Sequence, residues 1–230
     1  MEKKQYDLCI EVLRRLNNQN LLESVILIGS WCMPFYKEYF SGINYLSSFK
    51  TRDLDFLVPH PNKLMMNIDI ADLLKDLGFV VGFTGSKGYM KLEHPDLVIE
   101  FLSPEKGKGT DKPIPLPQLK INAQALRFLG FLAEDTIKIK IEDFYVVMPH
   151  PANFALHKLI ISQRRQNKDK AEKDKIMALE ILNALVTKGA TNKIGEVFEL
   201  VSPKWQKKIT GALDRIKDRR VLEVLRTPGP

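Results

Sequence analysis

The sequence predicts an α+β fold with a C-terminal helical bundle, and three observations predict it. Strand-like and helix-like segments are interspersed up to about residue 148; only helical patterns follow Pro149; and 44% hydrophobic with 27% charged residues is a globular composition. A length of 230 residues suits one domain or two small ones. The change in character divides the chain into a mixed domain at 1–148 and a helical domain at 149–230.

Tyr6, Cys9, Ile10, Val12, Leu13 and Leu16 recur near a 3.6-residue period, so residues 4–22 form an amphipathic helix. A short apolar strand at 24–28 stops at Gly29-Ser30, and 31–40 starts a helix whose N-terminus faces the strand end. Residues 41–50 are polar and loop-like. A second strand at 54–58 is closed by Pro59 and Pro61. Leu64, Ile68, Ala71, Leu74 and Leu77 repeat as in a helix over 63–77, with Gly78 as its C-cap. Strands follow at 79–84, 89–92 and 97–102, the first two joined by a Gly85-Ser86-Lys87-Gly88 hairpin turn.

The Pro-, Gly- and Lys-rich stretch 103–119 reads as an exposed loop. Residues 126–133 are apolar and fit a helix or a strand equally. Ile137, Ile139 and Ile141 alternate with charged residues as in a half-buried strand, and 144–148 is its hairpin partner. Helices then occupy 152–166 and 169–188, and two or three shorter ones precede the Thr-Pro-Gly-Pro tail.

Composition excludes several classes. No apolar run is long enough to span a bilayer, and the N-terminal 20 residues lack the apolar core and cleavage site of a secretion signal, which points to the cytoplasm. Cys9 and Cys32 form no CxxC pair, and His60, His94 and His150 each precede a proline, so zinc-ligand spacing is missing. Lys and Arg outnumber Asp and Glu by 35 to 28, a net charge of +7. Part of the excess lies at Arg164, Arg165, Lys168, Lys170, Lys173 and Lys175. Such a cluster attracts RNA or a triphosphate, and is equally a solvated helix face.

The chemistry lies in three acidic residues set among Leu, Ile, Val and Phe, where a charge without a task is disfavoured. In a strand, residues two apart share a face, so Asp53 and Asp55 stand side by side with Cα atoms roughly 6.6 Å apart. Two like charges about 4 Å apart repel by about 4 kcal/mol at an effective dielectric near 20. A hard divalent cation offsets this, because Mg²⁺ (or Mn²⁺) takes carboxylate oxygens and keeps positions open for phosphate and water. Glu100, on a separate apolar strand, supplies a third ligand and allows a two-metal site. Gly29-Ser30 at the end of the first strand lets the backbone approach a phosphate, with the following amides and the helix start to bind it.

Strand, Gly-Ser, helix, Asp-x-Asp on the next strand and one acidic residue on a later strand: this pattern resembles the DNA polymerase beta-like nucleotidyltransferase superfamily, at Gly29, Ser30, Asp53, Asp55 and Glu100. Within it the chain looks most like bacterial nucleotidyltransferases related to AbiEii-type toxins. That similarity extends through Pro149-His150-Pro151, His157-Lys158-Leu159, Arg164-Arg165 and Lys170 to Asp174. The resemblance implies a mixed sheet flanked by helices, followed by helices that close over a nucleotide. It implies Mg²⁺-dependent transfer of a nucleoside monophosphate from a nucleoside triphosphate such as ATP to a hydroxyl of RNA or tRNA, a protein or a small molecule. It also implies a place in a toxin–antitoxin system, with an antitoxin protein as partner, and nucleotide contacts from Gly29, Ser30, Lys158 and Asp174.

Two departures from the pattern are the long 41–50 insertion and Arg52, which pairs with phosphate or with a neighbour. Read without the resemblance, Lys158 also suits a snorkelling position beside Phe154, Ile161 and Arg165, and Asp174 an ion pair with Lys170 or Lys173. The competing function is a nucleotide- or RNA-binding regulator without catalysis, against which the complete carboxylate set speaks.

Overall fold

Burial of Cys9, Ile10, Val12, Leu13 and Leu16 makes Lys3–Asn18 the first helix, α1, an amphipathic element with one apolar stripe. The computed structural model describes residues 3–45, 51–105, 107, 109, 112–216 and 219–226. The chain forms two units, Met1–Phe35 with Ser47–Pro149, and Tyr36–Leu46 with His150–Pro230. The expected loops at 41–50 and 103–119 lie partly, and the 227–230 tail wholly, outside the described residues.

The first unit is built on a mixed sheet of β1 (Ile26–Ile28), β2 (Asp53–Leu57), β3 (Val80–Thr84), β4 (Tyr89–Glu93), β5 (Val98–Pro104), β6 (Ile114–Leu116) and β7 (Ile121–Leu126). Its path runs β1-β2-β5-β4-β3, with β7 pairing both β5 and β6. The β2–β5 and β5–β7 pairs are parallel and the others antiparallel. One face carries Leu27, Leu54, Phe56, Leu92, Ile99 and Phe101, all buried, with the rings of Phe56 and Phe101 stacked at 5.5 Å. The other face is divided. At the C-terminal end of β2 and β5, Ile26, Ile28, Leu57 and Leu102 pack on Leu129 and Leu132; at the N-terminal end the same face presents Asp53, Asp55 and Glu100.

A separate hairpin pairs β8 (Thr136–Ile141) with β9 (Phe144–Pro149). Arg14 of α1 pairs with Glu142 in its turn, and Arg15 pairs with Asp76 while donating to the Leu73 carbonyl at 2.9 Å. Gln5 of α1 donates to the carbonyls of Thr51 at 2.8 Å and Asp96 at 2.9 Å. It thereby fixes the entrances of β2 and β5 together.

Two local readings of the sequence are corrected, and one that was open between helix and strand is resolved. The helix placed at 63–77 starts only at Ile70: α3 is Ile70–Leu74, continued by a tighter 3-10 turn to Leu77. The Asp69 carboxylate accepts the Asp72 amide as N-cap, and the Ile68 amide bonds the Gln118 carbonyl at 2.7 Å, so the preceding segment is tied elsewhere. Leu64 and Ile68 are buried all the same, and their helical spacing reflects burial without a helix. The stretch read as one long loop contains β6, and β7 follows it. β7 has two alanines at alternating positions, and alanine is a weak strand former, so it left no strand signal. The apolar segment 126–133 becomes a turn with Phe128 at φ +72 and a four-residue helix, α4 (Gly130–Ala133).

The second unit consists of α5 (Pro151–Ser162), α6 (Lys168–Thr187), α7 (Thr191–Leu200), α8 (Pro203–Ile216) and α9 (Arg219–Arg226), with the last turn of α2 (Cys32–Tyr39). Almost every residue of α5 is buried, as befits a central helix without a polar face. His150 caps it, its Nδ1 accepting the Ala152 amide at 3.1 Å, which places any single ring proton on Nε2, facing the Tyr39 hydroxyl at 3.1 Å. The Tyr36 ring meets Phe154 edge-on at 5.5 Å. Among the described residues no helix is long and apolar enough to cross a membrane.

Candidate active site

The register of three neighbouring strands assembles a polar row on one face of the sheet. β2 and β5 pair in parallel with Asp55 beside Glu100, and β5 and β4 pair antiparallel with Lys91 beside Glu100. Paired residues on adjacent strands share a face, so Asp55, Glu100 and Lys91 form a line, with Asp53 one step along β2. A slip of one residue would have turned Glu100 to the opposite side. Asp53 is exposed and Asp55 half-buried, while the Glu100 side chain is 18% exposed.

At the edge of this row Ile28 pairs with Asp55, and the chain then turns through Gly29–Trp31 into α2. Gly29 has φ +75, which an L side chain rarely adopts, and a Cβ there would overlap Asp55 Oδ2 and lie 3.2 Å from its Cγ. The glycine is thus required twice, by its dihedral and by the carboxylate lying against it. Ser30 follows in the 3-10 turn, and the Cys32 amide closes it onto the Gly29 and Ser30 carbonyls. Trp31 stacks on Phe35 with centroids 6.1 Å apart and anchors the turn in the core. Arg52 settles on a neighbour, Nη2 donating to the His94 carbonyl at 2.9 Å.

The two other residues singled out by the sequence come together in the second unit. Lys158 Nζ donates to Asp174 Oδ1 at 2.7 Å, and Arg165 Nε donates to Oδ2 at 2.9 Å. One buried carboxylate therefore holds two cations. The Lys158 side chain is 7% exposed and that of Arg165 42%, so it is Arg165 that reaches solvent. Lys158 Nζ also lies 5.4 Å from the Phe154 ring centroid. His157, fully buried beside them, has its pKa pushed down to about 3 by desolvation first and by the Lys158 charge second. It is neutral in the fold, and its Nε2 has no hydrogen-bond partner among the described residues.

Asp53, Asp55 and Glu100 offer only hard carboxylate oxygens, the donor type that Mg²⁺ or Mn²⁺ takes. Glu100 already holds a cation of another kind, the Lys91 ammonium, at 2.6 Å. The donor chemistry fits a divalent ion, although among the described residues no three His, Cys, Asp or Glu side chains converge on one point. Lys91 escaped notice in the sequence. Its signal was available, because a hairpin that closes at Glu93 and Val98 puts Lys91 directly opposite Glu100.

A mixed sheet with flanking helices, a glycine turn against an acidic row and a following helical unit define an α+β protein. A family model described as nucleotidyltransferase matches residues 7–199, and the chain belongs to that family of enzymes. Among curated proteins none matches it. Solved structures that resemble it include the antibiotic-resistance factor ANT(2'')-Ia in solution, at 13% identity and a TM-score of 0.48, covering 97% of this chain and 96% of that one. A crystal structure of ANT(2'')-Ia with adenylyl-2''-tobramycin gives 13% and 0.48 over 93% and 99%. An antigenic nucleotidyltransferase-like protein from Paracoccidioides brasiliensis gives 13% and 0.48 over 96% and 91%.

Proposed function

We propose that the chain transfers a nucleoside monophosphate from a nucleoside triphosphate, ATP among them, to a hydroxyl acceptor, with Mg²⁺ or Mn²⁺ held by Asp53, Asp55 and Glu100. The observation that carries this reading is the acidic row, with Asp55 pressed against the Gly29 turn and Glu100 paired beside it. We assign the catalytic domain to residues 1–148 and the helical domain to 149–230.

A bound divalent ion neutralises the charge that builds on the phosphates and the leaving pyrophosphate. The chain's own residues do the rest. The Gly29 turn brings backbone amides and the Ser30 hydroxyl to phosphate oxygens at the start of α2. The Glu100 carboxylate accepts the proton of the acceptor hydroxyl as it attacks the α-phosphorus. In the helical domain the resemblance assigns nucleotide contacts to Lys158 and Asp174. The acceptor is an RNA or tRNA end, a protein or a small hydroxylated molecule; a net charge of +7 favours the polyanion. A toxin–antitoxin setting with a protein antitoxin suits the AbiEii-like pattern that runs from Pro149 to Asp174.

Asp53→Asn together with Asp55→Asn abolishes label transfer from an α-labelled nucleotide into a cell extract, while circular dichroism and thermal midpoint stay those of the parent. Transfer retained by the double variant would refute the assignment; the labelled fraction in the parent identifies the acceptor class.

A further inference from the structure

We propose that Lys91 is a built-in counter-cation of the acidic row, a positioning residue that shuttles between two carboxylates according to whether a divalent ion is bound. The inference rests on the metal reading above. Lys91 and Glu100 face each other directly across β4 and β5, with side chains 23% and 18% exposed and 2.6 Å between them. A half-desolvated contact of this kind is stronger than a surface pair and occupies an oxygen that a divalent ion would use.

What lies on the other flank of Lys91 gives the ammonium somewhere to go. Gly82 of β3 is its partner there, and the missing side chain leaves a gap over the strand. The Glu93 carboxylate fills it: a Cβ on Gly82 would sit 2.6 Å from Glu93 Oε1 and 3.0 Å from Oε2. Glu93 is two residues from Lys91 on the same strand and shares its face. Lys91 therefore stands between two carboxylates, engaged with Glu100 and within a side-chain swing of Glu93, which forms no ion pair among the described residues. Lysine suits the task, since its point charge on a four-carbon stem has no fixed bidentate geometry to lose. A divalent ion at Glu100 evicts the ammonium, and Glu93 receives it, so the displaced charge is not stranded beside the incoming one.

Manganese binding to the nucleotide-free protein, followed by electron paramagnetic resonance or calorimetry, reads this without any turnover. Lys91→Met tightens Mn²⁺ binding at least about tenfold, the effect of removing one opposing unit charge even under water-like screening. Lys91→Arg, which keeps the charge, brings no tightening, and Lys138→Met, the same charge loss on β8, changes nothing. Glu93→Gln weakens Mn²⁺ binding about three- to fivefold in the parent and much less in the Lys91→Met background, a coupling that simple through-space attraction does not give. Affinity within twofold of the parent in Lys91→Met overturns the proposal, as does an equal Glu93→Gln effect in both backgrounds. Asp53→Asn with Asp55→Asn separates the two readings. If that variant binds Mn²⁺ as tightly as the parent, the metal reading itself falls; if it loses binding while Lys91→Met is silent, only the lysine proposal falls.

Discussion

Replacing Gly29 by alanine separates stability from chemistry. The substitution forces an L residue into φ +75, at a cost of about 1–2 kcal/mol. It also sets a methyl group against Asp55 Oδ2, the far end of a short side chain that can rotate away. Little further stability is lost by that rotation, but the carboxylate leaves its place, and a displacement of about 1 Å at a reacting centre costs about 10²-fold in rate. Gly85→Ala is the matched control, because Gly85 has φ +68 in the β3–β4 turn with nothing within 4 Å of its added Cβ. Both variants lower the thermal midpoint by about 2–8 °C, the shift that 1–2 kcal/mol produces in a chain of this size. Only Gly29→Ala loses label transfer, by about 10²-fold. Transfer by Gly29→Ala within threefold of Gly85→Ala would refute the claim that this glycine makes room for a working Asp55.

Two further outcomes concern the helical unit. His157 is protonated near 6.5 when unfolded but only near 3 in the fold, so between these values the unfolded chain binds more protons; its contribution is complete above pH 6.5 and shrinks as pH falls toward 3. Urea unfolding at pH 5 and pH 7 differs by about 2 kcal/mol on this account, and His157→Leu flattens that dependence; an unchanged slope in the variant contradicts the assignment. Asp174→Asn leaves the buried Lys158 without its counter-charge and costs about 3–5 kcal/mol. Adding Lys158→Met to Asp174→Asn recovers most of that loss in denaturant titrations, whereas additive losses would show that the pair does not act as a unit.

The elements that position the site were largely legible because their patterns are extreme. Apolar strands interrupted by Asp53, Asp55 and Glu100 announce a sheet with one apolar and one divided face, and the purely helical pattern after Pro149 announces the helices of the second unit. Failures came where local pattern and tertiary cause part company. Leu64 and Ile68 are buried in a segment held by the Gln118 carbonyl, which no periodicity reveals. β7 pairs through alanine, asparagine and glutamine, so its strand character comes from its neighbours β5 and β6. At the site, the acidic residues stood out by composition, whereas Lys91 and Glu93 become meaningful only once the hairpin register is known. For Asp174 the sequence offered Lys170 and Lys173 as partners at helical spacing; the structure supplies Lys158 from the preceding helix and Arg165 from the loop after it.

β5 is gripped on both sides, in parallel by β2 and β7 and in antiparallel by β4. Ile99 and Phe101, pointing away from Glu100, are almost wholly enclosed. A frame shift of one position would drive the glutamate into the core and expose both apolar residues, so greasy side chains on the opposite face act as proofreaders of where the acid stands. Enzymes inherit faults as well as fitness through such residues: trimming Ile99 or Phe101 can blur the alignment of the charge before it melts the fold.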